Sequence, residues 1–413
     1  MTTALPALPT LPSGHPLAPT AVSGLAARHA RDAEEAARLH PEVVAALPAA
    51  GFARHFVPRR WGGRAGGCTE LVNAVAAVGE ACASTAWCCA LLAGHGRLAA
   101  HLPEAAQAEL WADSPDTPIA AAVVPPAGRL TRVPGGWRLT GRWSFASGVE
   151  HADWILLATL DESPGKTPGN TPDEILDTSL AERPAGQAAA PDGQPATPPP
   201  AYRILLLPRA DVRVHRTWDS VGLRGTGSHS VSVEEAFVPE HRSCLRDTLM
   251  TGVPEADAAP CHRVPYTLVA ALLFCAPGLG AARGALDAWT ASARERGGPG
   301  DAGVQQTYAR CSGEIDAAAL LLQAAAQRAD RAALTPAAAF EPGTAARNQR
   351  DASLAAGMLT GAVEQLFRTA GSRALDRSNP LQRAWRDLHA VAAHGALQPG
   401  PAAASFIRVL DNN

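Results

Sequence analysis

Long apolar runs are missing from this chain. No stretch approaches the roughly 20 consecutive apolar residues that a helical membrane span needs, so no membrane association is expected. Residues 1–20 are rich in Pro and Thr and lack a basic segment followed by an apolar one. They read as a disordered tail rather than a signal peptide. Strong charge of either sign is missing too. The formal net charge is -3 and the pI is near 6.5, which leaves no basic surplus to draw nucleic acid or membrane. The eight cysteines (Cys68, Cys82, Cys88, Cys89, Cys244, Cys261, Cys275, Cys311) include no C-x-x-C pair and no Cys/His ligand spacing, so no metal site is expected. Most stand among Ala and Leu, where a reduced thiol acts as a small hydrophobe, and a cytoplasmic setting is expected. No G-x-G-x-x-G follows a strand and no P-loop is present, so no nicotinamide site is expected.

What is present divides into three regions: 21–115 with helical apolar spacing, 116–242 with strand-like runs, and 260–400 helical again. In the first, Leu71, Val72, Val75, Val78, Cys82 and Trp87 recur at spacings of three and four. This predicts one helix over 69–92 with Thr69 as N-cap and Glu70 just inside. In the second, 129–133 and 137–140 flank Pro134-Gly135-Gly136, a hairpin signal. Residues 154–160 and 202–207 are strand-length apolar runs, and 231–238 alternates around Val231, Val233 and Phe237. Between them, 161–200 is so rich in proline that it cannot bury enough apolar surface to offset its ordering entropy; a disordered insertion is expected. The third region separates into helical segments 264–296, 305–333, 344–373 and 380–397, with Tyr308, Cys311, Ile315, Ala319 and Leu322 as the inward stripe of the second. Long helices joined by short Gly/Pro breaks predict an antiparallel four-helix bundle.

Four strings carry a resemblance. Val57-Pro58-Arg59-Arg60-Trp61-Gly62-Gly63 resembles the P-x-x-[YW]-G-G turn in the first domain of acyl-CoA dehydrogenases. Residues 135–148, reading GGWRLTGRWSFASG, followed by Ala152-Asp153-Trp154, resemble that family's β-domain signature. Residues 218–228, reading WDSVGLRGTGS, with Phe237-Val238-Pro239 after them, resemble its second β signature, and Asn379 to Asp387 the start of its last bundle helix. The matches are in order and span the chain apart from the tail and the insertion. The resemblance implies an α+β fold of acyl-CoA dehydrogenase type: an N-terminal helical domain, a central antiparallel β-barrel domain and a C-terminal four-helix bundle. Many dehydrogenases carry their catalytic carboxylate in a Tyr-Glu-Gly-Thr string after the Arg-Asp of the last helix. Here that place reads Ala393-His394-Gly395-Ala396, and no acid lies between Asp387 and Asp411.

A His at this place resembles the branch of two-component flavin-dependent monooxygenases, the group D hydroxylases. That resemblance implies an oxygenase component that receives reduced FAD or FMN from a separate NAD(P)H:flavin reductase and uses O2 through a flavin C4a-hydroperoxide. The implied product is a hydroxylated small molecule, aromatic or a polyketide or other secondary metabolite of the antibiotic kind. A homotetramer or dimer is also implied. The alternative is an acyl-CoA dehydrogenase-type flavoenzyme with Glu364 as its acid; a third reading is a non-catalytic homologue.

Several residues follow as candidates. His394 and His389 lie five apart, about 140° around a helix, so one ring is expected to face the site. His394 is the catalytic candidate, because it stands where the dehydrogenase string would, and an imidazole exchanges protons near neutral pH. His389 and Trp87 are assigned to the substrate pocket. His95, in Ala93-Gly94-His95-Gly96, resembles a His that points at the flavin's reactive edge in the monooxygenase branch. Ser147 and Gly148 follow the strand that passes the flavin ring in this family, and Trp143 is expected to pack near that ring. Thr226 and Ser228, in Gly225-Thr226-Gly227-Ser228, offer hydroxyls and backbone N–H groups for an anion. Arg224 beside them, or Arg294 or Arg296, is expected to meet the flavin phosphate.

Overall fold

The structure, a computed structural model, describes residues 16–161, 201–252, 258–295, 301–334 and 342–411. The expected insertion beyond Asp161 and residues 1–15 of the expected tail lie outside these. Residues 16–19 are not a free tail. Leu17 is buried, its N–H donates to the Glu70 carboxylate at 3.2 Å, and helix α1 (Thr20–Arg28) begins directly after.

The N-terminal region continues with α2 (Ala30–Ala36), α3 (Pro41–Ala50), α4 (Cys68–Ala81), α5 (Ala83–Ala99) and α6 (Glu104–Trp111). The single helix expected over 69–92 is therefore two. Cys82 is extended at φ -160 and ψ 113, and the apolar spacing runs across the break, so periodicity could not reveal it. Thr69 is not the N-cap either. The Asp330 carboxylate accepts from the N–H groups of Cys68 at 2.6 Å and Thr69 at 2.9 Å, a cap supplied from 261 residues away.

Among the described residues the central region has eight strands: β1 (Ile119–Ala122), β2 (Arg129–Val133), β3 (Gly136–Ala146), β4 (Trp154–Asp161), β5 (Ala201–Pro208), β6 (Arg213–His215), β7 (His229–Pro239) and β8 (Ser243–Leu245). They form two four-stranded sheets, ordered β1-β4-β5-β8 and β2-β3-β7-β6. This corrects the expected antiparallel barrel. Among the described residues no ladder joins the two sheets, and β1, arriving from α6, pairs parallel to β4. The sheets enclose a core of Leu139, Trp143, Ile155, Leu205 and Val231. The other face of β4 and β5 puts Leu156, Ala158, Ile204 and Leu206 against Leu98, Leu110 and Trp111. Covered on both faces, these two strands read as unbroken apolar runs. The hairpin at Pro134 and Gly135 forms as expected. The alternation expected in β7 fails at its end. A bulge at Glu235 (φ 50) shifts the register, turns Val238 inward and leaves Phe237 exposed.

The C-terminal region has α7 (Arg246–Thr251), α8 (Pro260–Arg263), α9 (Ala270–Glu295), α10 (Ala302–Leu334), α11 (Pro342–Thr369), α12 (Pro380–Ala392) and α13 (Pro399–Asp411). Helices α9 to α12 are the four expected; α13 was not foreseen. The segment Tyr266–Glu295 is long and apolar enough by composition to cross a bilayer, against the expectation from counting apolar runs, and 83% of its apolar window is buried inside the protein. Its small residues let it lie on α4 backbone to backbone: a Cβ on Gly280 would stand 2.1 Å from the Ala76 carbonyl oxygen. On α10 the inward stripe is Cys311, Ile315, Ala318 and Leu322, while Tyr308 is exposed. All eight cysteines are buried and unpaired, and burial pushes thiols such as Cys88 and Cys275 up to about 12.

Candidate active site

The site begins where β3 ends. Phe145 has a left-handed backbone (φ 64) and a side chain 63% exposed, lying edge-on to Trp218 at 6.2 Å. A bulky residue held at positive φ is strained, and an exposed one gains little burial in return; such strain clusters at functional sites. Ser147 and Gly148 (φ 69) follow at once. Facing them is the segment between β6 and β7, which is docked on α12. A Cβ on Gly222 would stand 2.1 Å from the Arg386 carbonyl oxygen, and the buried Asp387 carboxylate accepts from the Leu223 N–H at 2.7 Å. Burial pushes the Asp387 carboxyl up to about 6. This docking delivers Thr226 and Ser228 to Ser147.

Counting protons fixes the direction of the resulting hydrogen-bond chain. The Thr226 hydroxyl is 2.8 Å from the Leu223 carbonyl, which can only accept, so Thr226 donates there. The Ser228 hydroxyl, 2.7 Å from Thr226, must then donate to it. Ser147, 2.6 Å from Ser228, must donate in turn to Ser228. Behind Ser147, the Trp87 indole N–H donates to it at 3.2 Å. The proton of Ser147 is therefore committed, and the hydroxyl keeps one acceptor position for a ligand.

Two imidazoles complete the site. His394 stacks on Phe274 at 3.6 Å and lies edge-on to Trp87 at 5.7 Å. Its Nδ1 accepts from the Ala396 N–H at 3.2 Å, so the neutral ring carries its proton on Nε2. The Nδ1 of His95 is 2.7 Å from the Ile119 carbonyl and must donate, so its Nε2 is a free acceptor. Burial lowers both rings to about 4. At neutral pH the pair is therefore a donor and an acceptor, rather than the proton exchangers expected from the sequence. His95, Ser147 and Gly148 border one cleft of roughly 760 Å³, counted to its open mouth, with Cys88, Leu91 and Ile119.

The structure thus brings together His394, His95, Trp87, Ser147, Gly148, Thr226 and Ser228. It does not bring the others. Trp143 points between the two sheets and donates to the Ala158 carbonyl at 2.8 Å; strand alternation sends it inward, away from any ring beside Phe145. Arg224 donates to Asp219 at 2.5 Å, the Ser220 carbonyl at 3.1 Å and the Glu34 carbonyl at 3.2 Å, so it serves the loop's own packing. Arg294 is exposed at the far end of α9, about 30 Å along the helix from Phe274. Arg296 lies outside the described residues. The 140° argument for the histidines does not apply, because α12 stops at Ala392 and His394 is extended (φ -63, ψ 136). His389 does remain apart: its Nδ1 donates to the Trp385 carbonyl at 2.7 Å. Glu364, the acid of the dehydrogenase alternative, accepts from the Trp385 indole at 2.7 Å.

Three residues of the site were not foreseen: Phe145, Phe274 and Asp387. Only Phe145 had a local signal, as an aromatic two positions before Ser147. No metal was expected, yet ligand atoms of His29, Asp32 and His40 lie within 4.8 Å of one another at the surface, brought together by the fold rather than by a motif.

Residues 272–399 match the family described as acyl-CoA dehydrogenase, C-terminal domain. The chain is 30% identical over 384 residues to the flavin-dependent monooxygenase, oxygenase subunit HsaA, of Rhodococcus jostii (strain RHA1), covering 90% of this chain and 91% of that one. It is 32% identical over 383 residues to the FADH(2)-dependent resorcinol hydroxylase, oxygenase component, of Rhizobium sp. (strain MTP-10005), covering 88% and 86%. Its fold matches XiaF from Streptomyces sp. in complex with FADH2 and glycerol with a TM-score of 0.81 at 25% identity, covering 96% and 95%.

Proposed function

The chain belongs to the two-component flavin-dependent monooxygenases with the acyl-CoA dehydrogenase-like fold, and we propose that it hydroxylates an aromatic substrate, taking reduced FAD or FMN from a separate NAD(P)H:flavin reductase. Reduced flavin with dioxygen supplies one oxygen atom to the substrate, the other leaving as water. The chain's own residues hold the flavin and order the substrate around it.

The directed hydroxyl chain carries this reading. A reduced flavin presents an N–H at N5, whereas an oxidised flavin presents only an acceptor there. Ser147, with its proton committed to Ser228, complements the first and opposes the second. The exposed Phe145 and the half-buried Trp218 offer aromatic faces beside it. The Nε2–H of His394 donates into the reacting space, and the Nε2 of His95 accepts from a phenol hydroxyl. Phe274 and Trp87 keep water from the space around His394. The relatives' names support an aromatic substrate: one is a resorcinol hydroxylase. We place the working form as a homotetramer or dimer, with the exposed Arg294 reaching the flavin phosphate of a partner copy.

Anaerobic titration tests the reading. Reduced flavin should bind the protein at least about tenfold more tightly than oxidised flavin, since opposing acceptors at N5 cost about as much as one unmade hydrogen bond. Ser147→Ala should erase most of that preference. Equal or tighter binding of oxidised flavin would point to the dehydrogenase alternative instead.

A further inference from the structure

A second space opens at the junction of the sheets and the bundle. Leu98, Val123, Ile204, Leu249, Ala270 and Ala396 wall it, and it opens to solvent. It lies close to His394. Ala396 supplies the N–H that His394 accepts, and Ala270 precedes Phe274 by one turn of α9, about 6 Å along the axis.

The polar groups facing this apolar space are unusual. Tyr202 also faces it, but its hydroxyl is spent on the Val123 carbonyl. Arg246 lies over the Tyr202 ring at 5.2 Å and has no carboxylate partner among the described residues. The side chains of Tyr266, Thr267 and Gln349 face the same space and make no hydrogen bond among the described residues. Polar groups around an apolar cavity are normally paired. Arg246 is half-buried beside these apolar walls, and a guanidinium there without a carboxylate partner presents its fork of donors to an anion.

We propose that this space is the substrate site and that it selects an aromatic acid, its ring against Leu98, Val123 and Ile204 and its carboxylate on Arg246. Thr267, Tyr266 and Gln349 then receive the ring's further polar substituents. The inference rests on the hydroxylase reading for what happens to the bound ring, while the binding itself does not depend on it.

Calorimetric titration of the flavin-free protein with naphthoate, and with naphthol as the uncharged comparator, tests it near neutral pH. Naphthoate should bind more tightly than naphthol. Arg246→Met should weaken naphthoate at least about tenfold, the range for one charge-assisted hydrogen bond, and change naphthol less than about twofold. Arg246→Lys should recover part of the loss. Ala270→Phe, which fills the space, should abolish binding of both probes, with thermal unfolding as the check that each variant folds. The proposal is overturned if naphthoate binds no better than naphthol, if Arg246→Met leaves both unchanged, or if Ala270→Phe binds both as before. None of these measurements uses flavin, so their failure leaves the monooxygenase reading standing, and failure of hydroxylation leaves them untouched.

Discussion

At the scale of single residues, the site works by which atoms are free to donate. His394 offers only Nε2–H at neutral pH, because Nδ1 is held by the Ala396 N–H and burial lowers the ring to about 4. His394→Ala should therefore fold and bind reduced flavin. Hydroxylated product should fall on the order of 10²-fold, with the missing oxygen released as hydrogen peroxide, as when one positioned hydrogen-bond donor is lost. Peroxide assay beside product assay reads this; wild-type coupling in the variant would remove His394 from the mechanism. His389→Ala should change little, since its ring is turned back on Trp385. The pH profile gives a second check. His95 loses its acceptor only when protonated, at about 4, so its contribution to the rate should be flat across neutrality and decline toward pH 4. A limb near 6.5, the value of a solvated imidazole, would contradict the buried geometry.

At the scale of elements, α12 holds the loop between β6 and β7 in register. Asp387 is buried and receives the Leu223 N–H, so Asp387→Ala leaves that donor unpaired at a cost of about 1–3 kcal/mol. Thermal unfolding should drop accordingly, and reduced flavin should bind more weakly as Ser228 and Ser147 separate. A variant with full stability and full flavin affinity would show that the loop is held elsewhere. This docking also explains what the sequence could and could not show. The strings at 135–148 and 218–228 were legible because each is local, and the structure brings their Ser147, Thr226 and Ser228 into one hydrogen-bond chain. Trp143 was misplaced by two residues' worth of geometry: a strand alternates faces, and it is Phe145, freed by a left-handed backbone, that turns out to solvent beside Ser147. The break at Cys82 was hidden because apolar spacing continues through it. The Asp330 cap and the Phe274–His394 stack were hidden because their partners lie far apart in the chain.

At the scale of the molecule, the three-region order was legible from changes of period alone, whereas the two separate sheets were not, since strand runs do not say whether their edges meet. Burial of histidine sets the response of the whole fold to acid. His55, His95, His262 and His394 titrate at about 4 and His101 at about 3 when folded. In the unfolded chain they take up protons near 6.5, so between those values the unfolded chain binds more protons and stability falls as pH drops. Asp387, raised from 3.8 to about 6, acts in the opposite sense over much of the same interval, but it is one group against five. The urea midpoint should be lower at pH 5 than at pH 7; an unchanged or higher midpoint would mean these rings are solvated.

The central claim is that this chain inserts oxygen from dioxygen with electrons from reduced flavin. The most direct test supplies chemically reduced flavin to the protein under isotopically heavy dioxygen, with resorcinol, naphthol and hydroxynaphthoate as substrates, and weighs the products. The account predicts a hydroxylated product carrying one heavy oxygen atom, none when heavy water replaces heavy dioxygen, and none with oxidised flavin alone. Label arriving from water, or no hydroxylation alongside reduction of bound oxidised flavin by an acyl-CoA, would contradict it.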